Sequence, residues 1–357
     1  MHIPDGYLSP STCAVMYAAA APFWYVSLRR LRRLLRSRLI PLISVFAAFS
    51  FVVMMFNLPL PGGTTGHAVG VSIASIVLGP WASILAISVA LVIQAVFFGD
   101  GGITALGANC FNMAITGSLV AYAIYRAVSR NSPIRSGRRV AAAGIAGYVA
   151  INVSALLAAV EFGIQPIFFR DAVGAPLYAP YPLKIAVPAM MAGHLTIAGL
   201  AEVILSAGLV AWLQRSHPAL LRTTAPGAVE EGEGAGGFGW PPMRPMLIGL
   251  AILLLSTPLG ILTVGSAWGE WSPRDFADAA ARRQIAAVSA HQAPPAQAPQ
   301  GLDRLSSIWT APFPDYAPRF LRSASFGYLL SAAFGAGLIL LMAATADRIF
   351  VRRSGSG

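Results

Sequence analysis

The stretch PWASILAISVALVIQAVFF, Pro80 to Phe98, carries no charged side chain. A helix needs about 20 such residues to cross the hydrocarbon core of a bilayer. Apolar stretches recur on both sides of it, and we read spans at about 12–28, 39–58, 67–79, 80–98, 103–126, 139–160, 184–213, 243–263 and 324–347. Composition points the same way, with 56% hydrophobic and 11% charged residues, where a soluble domain carries roughly 25% charge. The predicted fold class is all-α: a polytopic helical membrane protein with seven helices in one bundle and two additional transmembrane helices after it.

The third span is the irregular one. Its apolar part, Ala68 to Leu78, is too short for a full crossing, so a half-helix or a helix buried among others is expected. It follows a glycine-rich approach, Pro61-Gly62-Gly63-Thr64-Thr65-Gly66-His67, and irregular backbone at membrane depth is tolerated only where protein buries it or a cavity uses it.

Charge sets the expected orientation. The net charge of +11 is concentrated in runs that abut spans: Arg29, Arg30, Arg32, Arg33, Arg36 and Arg38, then Arg126, Arg130, Arg135, Arg138 and Arg139. Basic residues gather on the cytoplasmic side. Placing the N-terminus outside and the C-terminus in the cytoplasm puts seventeen of the 25 basic residues inside and eight outside, and it sets Met1 and His67 on the same outer face. This distribution favours a membrane over nucleic acid as the partner.

Composition also divides the chain. Residues 1–213 form the first domain, and 214–242, with Glu230-Glu231-Gly232-Glu233 and Gly234 to Gly239, read as a cytoplasmic linker. Residues 243–357 form a second part whose two helices flank an outer segment, 264–323, expected to be partly extended around Ala293-Pro294-Pro295. Cys13 and Cys110 lie in apolar segments and read as packing residues. The sole lysine, Lys184, follows Pro182-Leu183, so the chain has no Walker A loop and no ATP site of its own.

The chain opens Met1-His2-Ile3-Pro4-Asp5-Gly6. No basic region precedes an apolar one, so no cleavable signal is expected, and a bulky second residue should keep Met1 in place. A free terminal amine, the next amide nitrogen and a second-position imidazole chelate one divalent metal through fused five- and six-membered rings, leaving one in-plane position open. His67 can supply the fourth nitrogen. Planar nitrogen coordination suits Ni(II) or Cu(II).

Other polar residues fall inside spans, where they are costly unless they face the bundle interior. Gln94, Asn109 and Asn112 are candidate partners that orient the metal-binding segments, with interhelical hydrogen bonding the structural alternative. His194 and Glu202, eight residues apart on one span, sit about 12 Å apart along a helix and cannot readily ligate one ion together. Asp5 and Asp100, beside glycines, are expected to shape turns and attract cations.

Met1-His2-Ile3-Pro4-Asp5-Gly6-Tyr7-Leu8, the loop Pro61 to His67, Gly79-Pro80-Trp81 and Phe98-Gly99-Asp100-Gly101-Gly102-Ile103-Thr104-Ala105-Leu106-Gly107-Ala108-Asn109 together resemble the CbiM/NikM family. Its members are the substrate-capturing membrane components of energy-coupling factor importers for cobalt and nickel. The resemblance extends to about residue 213 and implies a metal site made of the Met1 amine, the His2 amide nitrogen and imidazole, and His67. It also implies a shared His and Glu at positions like His194 and Glu202. Thr257 to Leu262, Ala267-Trp268-Gly269-Glu270-Trp271 and Ala311 to Tyr316 resemble the two-span NikN/CbiN component, which assists metal loading. The implied partners are a transmembrane coupling subunit and two cytoplasmic ATPase subunits. The cargo is Ni(II) or Co(II), with no prosthetic group.

Two other classes fit the composition. An ion-gradient-driven secondary carrier for divalent metal should show charged or broken-helix sites at mid-depth, for which Glu202 alone offers support. A membrane metalloenzyme needs a general base beside its metal, and the chain has no His-Glu-x-x-His motif. We therefore expect a transport protein and no enzymatic activity.

Overall fold

The computed structural model describes residues 1–34, 39–61, 63–224, 240–263, 265–318 and 320–352. Each of the nine predicted spans coincides with a helical segment: α1 (Pro10–Leu34), α2 (Ile40–Met54), α3 (Val71–Leu78), α4 (Pro80–Ile93), α5 and α6 (Leu106–Asn109 and Gly117–Ser129), α7 (Gly137–Phe168), α8 and α9 (Leu183–Gly193 and Gly199–Ser216), α10 (Trp240–Ser256) and α13 (Ala324–Arg352). Five of these segments are long and apolar enough to cross a membrane. The only strands among the described residues, β1 (Leu58–Leu60) and β2 (Thr64–Gly66), form a small antiparallel hairpin leading to His67. The chain is an all-α polytopic membrane protein.

Local chemistry accounts for the breaks. Helix α3 has only eight residues, nearly all buried, so it is the half-length helix its apolar length predicted. It starts at Gly70, in the left-handed conformation at φ 73°, where an added Cβ would lie 2.7 Å from the Phe49 ring. Ser136 caps α7 by accepting from the Arg138 amide. Three helices contain π-helical turns, Gln94–Phe98, Cys110–Thr116 and His194–Ala198. These begin at or directly after Gln94, Asn109 and His194, and such turns are frequent at functional sites.

One apolar core runs through most of the molecule. Helix α7 presents a run of small residues, and at Gly144 and Gly147 a Cβ would meet Val203, Ser206 and Glu202 of α9 at 2.8–3.2 Å. Small residues let helix backbones approach closely in a bilayer, and this approach delivers Glu202 into the interior.

The C-terminal part packs on the first. Helix α13 lies along α2, with the Tyr328 hydroxyl donating to the Met55 carbonyl at 2.7 Å and Tyr316 stacked on Phe98 at 4.6 Å. The segment between α10 and α13, expected to be extended in part, contains the short helices α11 (Ala279–Val288) and α12 (Gln300–Leu305). Its proline-rich stretch around residues 293–299 is non-helical. Trp268 and Trp271 join Tyr181 and Phe162 in an aromatic cluster, which anchors the segment by buried apolar area. Most of the linker, residues 225–239, together with Gly62 and residues 35–38, lies outside the described residues.

Candidate metal site

The N-terminal segment is folded inward. Met1, His2 and Ile3 are all at most 3% exposed. Asn109 and the loop of residues 102–104 hold this segment. Asn109 accepts from the Ile3 amide at 2.8 Å and donates to its carbonyl at 3.1 Å, and the Gly102 amide donates to the same carbonyl at 2.8 Å. A Cβ on Gly102 would lie 2.3 Å from the Asp5 nitrogen, so only glycine lets this loop close. Asp5 in turn accepts from the Ile103 and Thr104 amides at 3.1 and 2.7 Å, the turn-shaping role expected of it.

His67 arrives from the β-hairpin. Its Nδ1 faces the Ala68 carbonyl at 3.0 Å, which leaves Nε2 pointing at His2 Nδ1, 3.2 Å away. Bonds of about 2.0–2.1 Å to imidazole nitrogen, set at right angles, place neighbouring donors about 2.9 Å apart. The observed pair is therefore spaced as adjacent donors around a single ion. Among the described residues no group of three or more His, Cys, Asp or Glu side chains is placed to hold a metal ion.

The electrostatics favour neutral imidazoles. Burial lowers His2 to about 3, and the charge of the terminal amine adds to the effect, against the opposing influence of the Gln94 side chain. Burial likewise holds His67 well below its ordinary value, helped by His2 and the amine. A neutral ring nitrogen is what a transition metal needs. The His2 contact with Asp100 Oδ1 at 3.1 Å is accordingly a hydrogen bond rather than an ion pair.

Around this pair the structure arranges further polar groups. Asp100 divides its oxygens, Oδ1 toward His2 and Oδ2 accepting from Gln94 at 3.1 Å and from the Tyr316 hydroxyl at 2.5 Å. Burial raises its carboxyl, opposed by the Tyr316 hydrogen bond and the amine. Glu270 lies 3.4 Å from the Met1 amine, and burial pushes its carboxyl up to about 7 against the pull of that amine. Both Tyr316 and Glu270 come from the C-terminal part. A cavity of about 620 Å³ opens here, lined among others by His2, His67, Asp100, Glu270, Trp309 and Tyr316.

The remaining candidates divide. Gln94 is buried beside His2, donates to Asp100 and sits 3.0 Å from the Tyr316 hydroxyl. Glu202 accepts from the Val69 and Gly70 amides, directly after His67, at 2.8 and 3.0 Å. His194 directs Nδ1 to the Met190 carbonyl of its own helix at 2.8 Å, and its buried Nε2 has no partner among the described residues. Asn112 instead donates to Glu161 of α7 at 2.9 Å, an interhelical hydrogen bond away from the N-terminal segment. Cys13 and Cys110 are buried free thiols.

Comparison with known proteins gives a consistent picture. Residues 2–220 match the model of the CbiM family, described as the cobalt uptake substrate-specific transmembrane region. The fused nickel transport protein NikMN of Rhodobacter capsulatus is 58% identical over 341 residues, covering 95% of both chains. The cobalt transport protein CbiM of Geobacter sulfurreducens is 34% identical over 276 residues, 76% of this chain and 74% of that one. A crystal structure of a truncated transition metal transporter superposes with a TM-score of 0.56 at 47% identity, covering 61% of this chain and all of the other.

Proposed function

We propose that this chain, which belongs to the CbiM family and is a nickel/cobalt transport protein of the CbiM/NikM type, captures its cargo with the Met1 amine, the His2 amide nitrogen and imidazole, and His67. The observation that carries the reading is the 3.2 Å approach of two buried imidazole nitrogens contributed by residues 65 positions apart. The terminal amine lies near enough to depress both rings. Four nitrogens from three residues complete a planar set that suits Ni(II) and accepts Co(II).

The pocket opens on the extracytoplasmic side, with the N-terminus outside and the C-terminus in the cytoplasm, in keeping with the bias of basic residues toward the opposite ends of the spans. Residues 1–213 form the capturing domain. Residues 243–357 form an accessory module of the NikN/CbiN kind that supplies Glu270 and Tyr316 to the rim of the site. Transport is powered by partners, a membrane coupling subunit and two ATPase subunits of an energy-coupling factor importer, because no P-loop is present in the sequence.

Metal analysis of the full chain, tagged only at its C-terminus, tests the reading. One Ni(II) per chain is expected, displaced by Co(II) in competition. A chain that retains its fold and free N-terminus yet holds neither ion would overturn it.

A further inference from the structure

Glu202 is fully buried on α9 and lies outside the proposed donor set, yet it holds the loop that carries His67. Its Oε2 accepts from two successive amides, Val69 at 2.8 Å and Gly70 at 3.0 Å, while the Ser206 hydroxyl donates to Oε1 at 3.3 Å. From the other side the Ser50 hydroxyl of α2 donates to the Val69 carbonyl at 2.6 Å. The backbone that follows His67 is thus tied directly to α9.

Helix α9 has two further features. It is preceded by the π-helical turn His194–Ala198, in which Thr196 departs from helical angles at φ −109°, ψ −105°. Interruptions of this kind are where helical rods bend against one another. At its other end Gln214, twelve residues and about 18 Å along the axis, donates to the Ile134 carbonyl at 2.7 Å and the Ser136 carbonyl at 2.9 Å. Those carbonyls belong to the turn between α6 and α7, which exposes Arg130 and Arg135, with Arg138 exposed in the first turn of α7. The rod is clasped to the metal loop near one end and to an arginine-rich turn at the other, and its irregular turn lies just before the first clasp.

We infer that Glu202 transmits occupancy of the His2–His67 pocket to the α6–α7 turn, with α9 as the connecting rod. The inference rests on the metal reading above. An ion shared by His2 and His67 fixes the loop against the N-terminal segment, and the Val69 and Gly70 amides move with His67. A buried carboxyl cannot release those amides without leaving two buried N–H groups unpaired, so α9 follows. Gln214 then passes the displacement to residues 134 and 136, beside the charged surface on which a partner would sense it. Glu202 is a positioning residue in this scheme and touches no metal.

Amide hydrogen exchange at residues 133–139 tests this, on the full chain in lipid nanodiscs with and without saturating Ni(II), with bound metal counted per chain. Nickel is expected to slow exchange there several-fold in the wild type. Gln214→Met, remote from the pocket, is expected to bind nickel as the wild type does and to lose that protection. Glu202→Leu, saturated at higher nickel, is expected to lose it as well, whereas Glu202→Gln, which keeps a carbonyl oxygen for the two amides, should retain most of it. Wild-type protection persisting in Gln214→Met or Glu202→Leu, or no change at 133–139 in a metal-loaded wild type, would overturn the inference alone. A wild type that takes up no nickel would overturn the functional reading and this inference with it.

Discussion

Asn109 grips Ile3 by both of its main-chain polar atoms, accepting from the amide at 2.8 Å and donating to the carbonyl at 3.1 Å. The contact spans 106 residues and fixes the segment whose first two residues carry three of the four proposed donor nitrogens. The carbonyl has a second donor in Gly102, but among the described residues the Ile3 amide has only Asn109. Asn109→Leu should therefore leave one buried N–H unpaired, at about 1–3 kcal/mol of stability. Nickel affinity should fall about 10–100-fold, the usual cost of losing a residue that orients a ligand. Thermal unfolding and calorimetric titration measure the two effects, and an unchanged affinity would separate the clamp from metal capture.

The terminal amine offers the sharpest test of the donor set. One extra residue before Met1 keeps every side chain but turns the amine into an amide and moves the new amine out of place. Nickel binding should drop by several orders of magnitude, while helicity and thermal stability of the metal-free chain change little. Equal metal content in the extended and native forms would rule out chelation by the N-terminus.

His2 and His67 should respond differently to truncation. His2→Ala breaks the six-membered ring of the chelate, and no small molecule restores a fused ring. His67→Ala leaves the three-nitrogen chelate intact and opens its fourth position to water. Free imidazole at millimolar concentration should then restore a large part of nickel binding to His67→Ala and none to His2→Ala. The visible absorption of bound Ni(II), sensitive to the number of nitrogen donors, reports the difference.

Affinity should rise with pH. Burial lowers His2 to about 3 and holds His67 well below its ordinary value, so both rings favour the neutral form that a metal needs. The amide nitrogen must still lose its proton to ligate. Each proton released makes the binding constant rise about tenfold per pH unit. Titrations from pH 6 to 8 should show at least that slope, and a flat profile would exclude the ionised amide as a donor.

Much of this arrangement is legible in the sequence because it is local. The spans stand out by their lack of charge, and the half-length of α3 follows from the few apolar residues between His67 and Gly79. His2 and His67 can be paired on chelate chemistry alone. What escapes depends on long-range packing. Glu270 and Tyr316 reach the site from the C-terminal part; the motifs that contain them resemble a component that assists metal loading, but nothing in those motifs says which side chain meets Met1 or Asp100. Asp100 reads as a turn residue among glycines, and only the π-turn ending α4 brings Gln94 beside it. Asn109 and Asn112 would share a face of a regular helix, but the π-helical stretch from Cys110 alters the register, and Asn112 meets Glu161 instead. The second arginine run reads as one charged surface, yet Arg139 is 2% exposed and donates to the Ser132 and Pro133 carbonyls. It braces the turn from within.

The link between the two parts of the chain can be tested at Tyr7. Its hydroxyl donates to the Trp271 carbonyl at 2.7 Å and accepts from the Trp271 amide at 3.1 Å, while its ring packs edge-on against Phe162. Tyr7→Phe keeps the ring and removes both bonds, leaving two main-chain groups of Trp271 unpaired at about 1–3 kcal/mol each. The full chain should therefore melt several degrees lower. Glu270, one residue before Trp271, should also lose its fixed approach to the Met1 amine, so nickel binding should slow or weaken without any donor having been touched. In a chain ending near residue 213 the hydroxyl has no such partner, and the same substitution should have little effect on either measure. A comparable loss in both lengths would mean that Tyr7 serves the N-terminal bundle by itself, and that the contact with Trp271 adds nothing to the stability of the site.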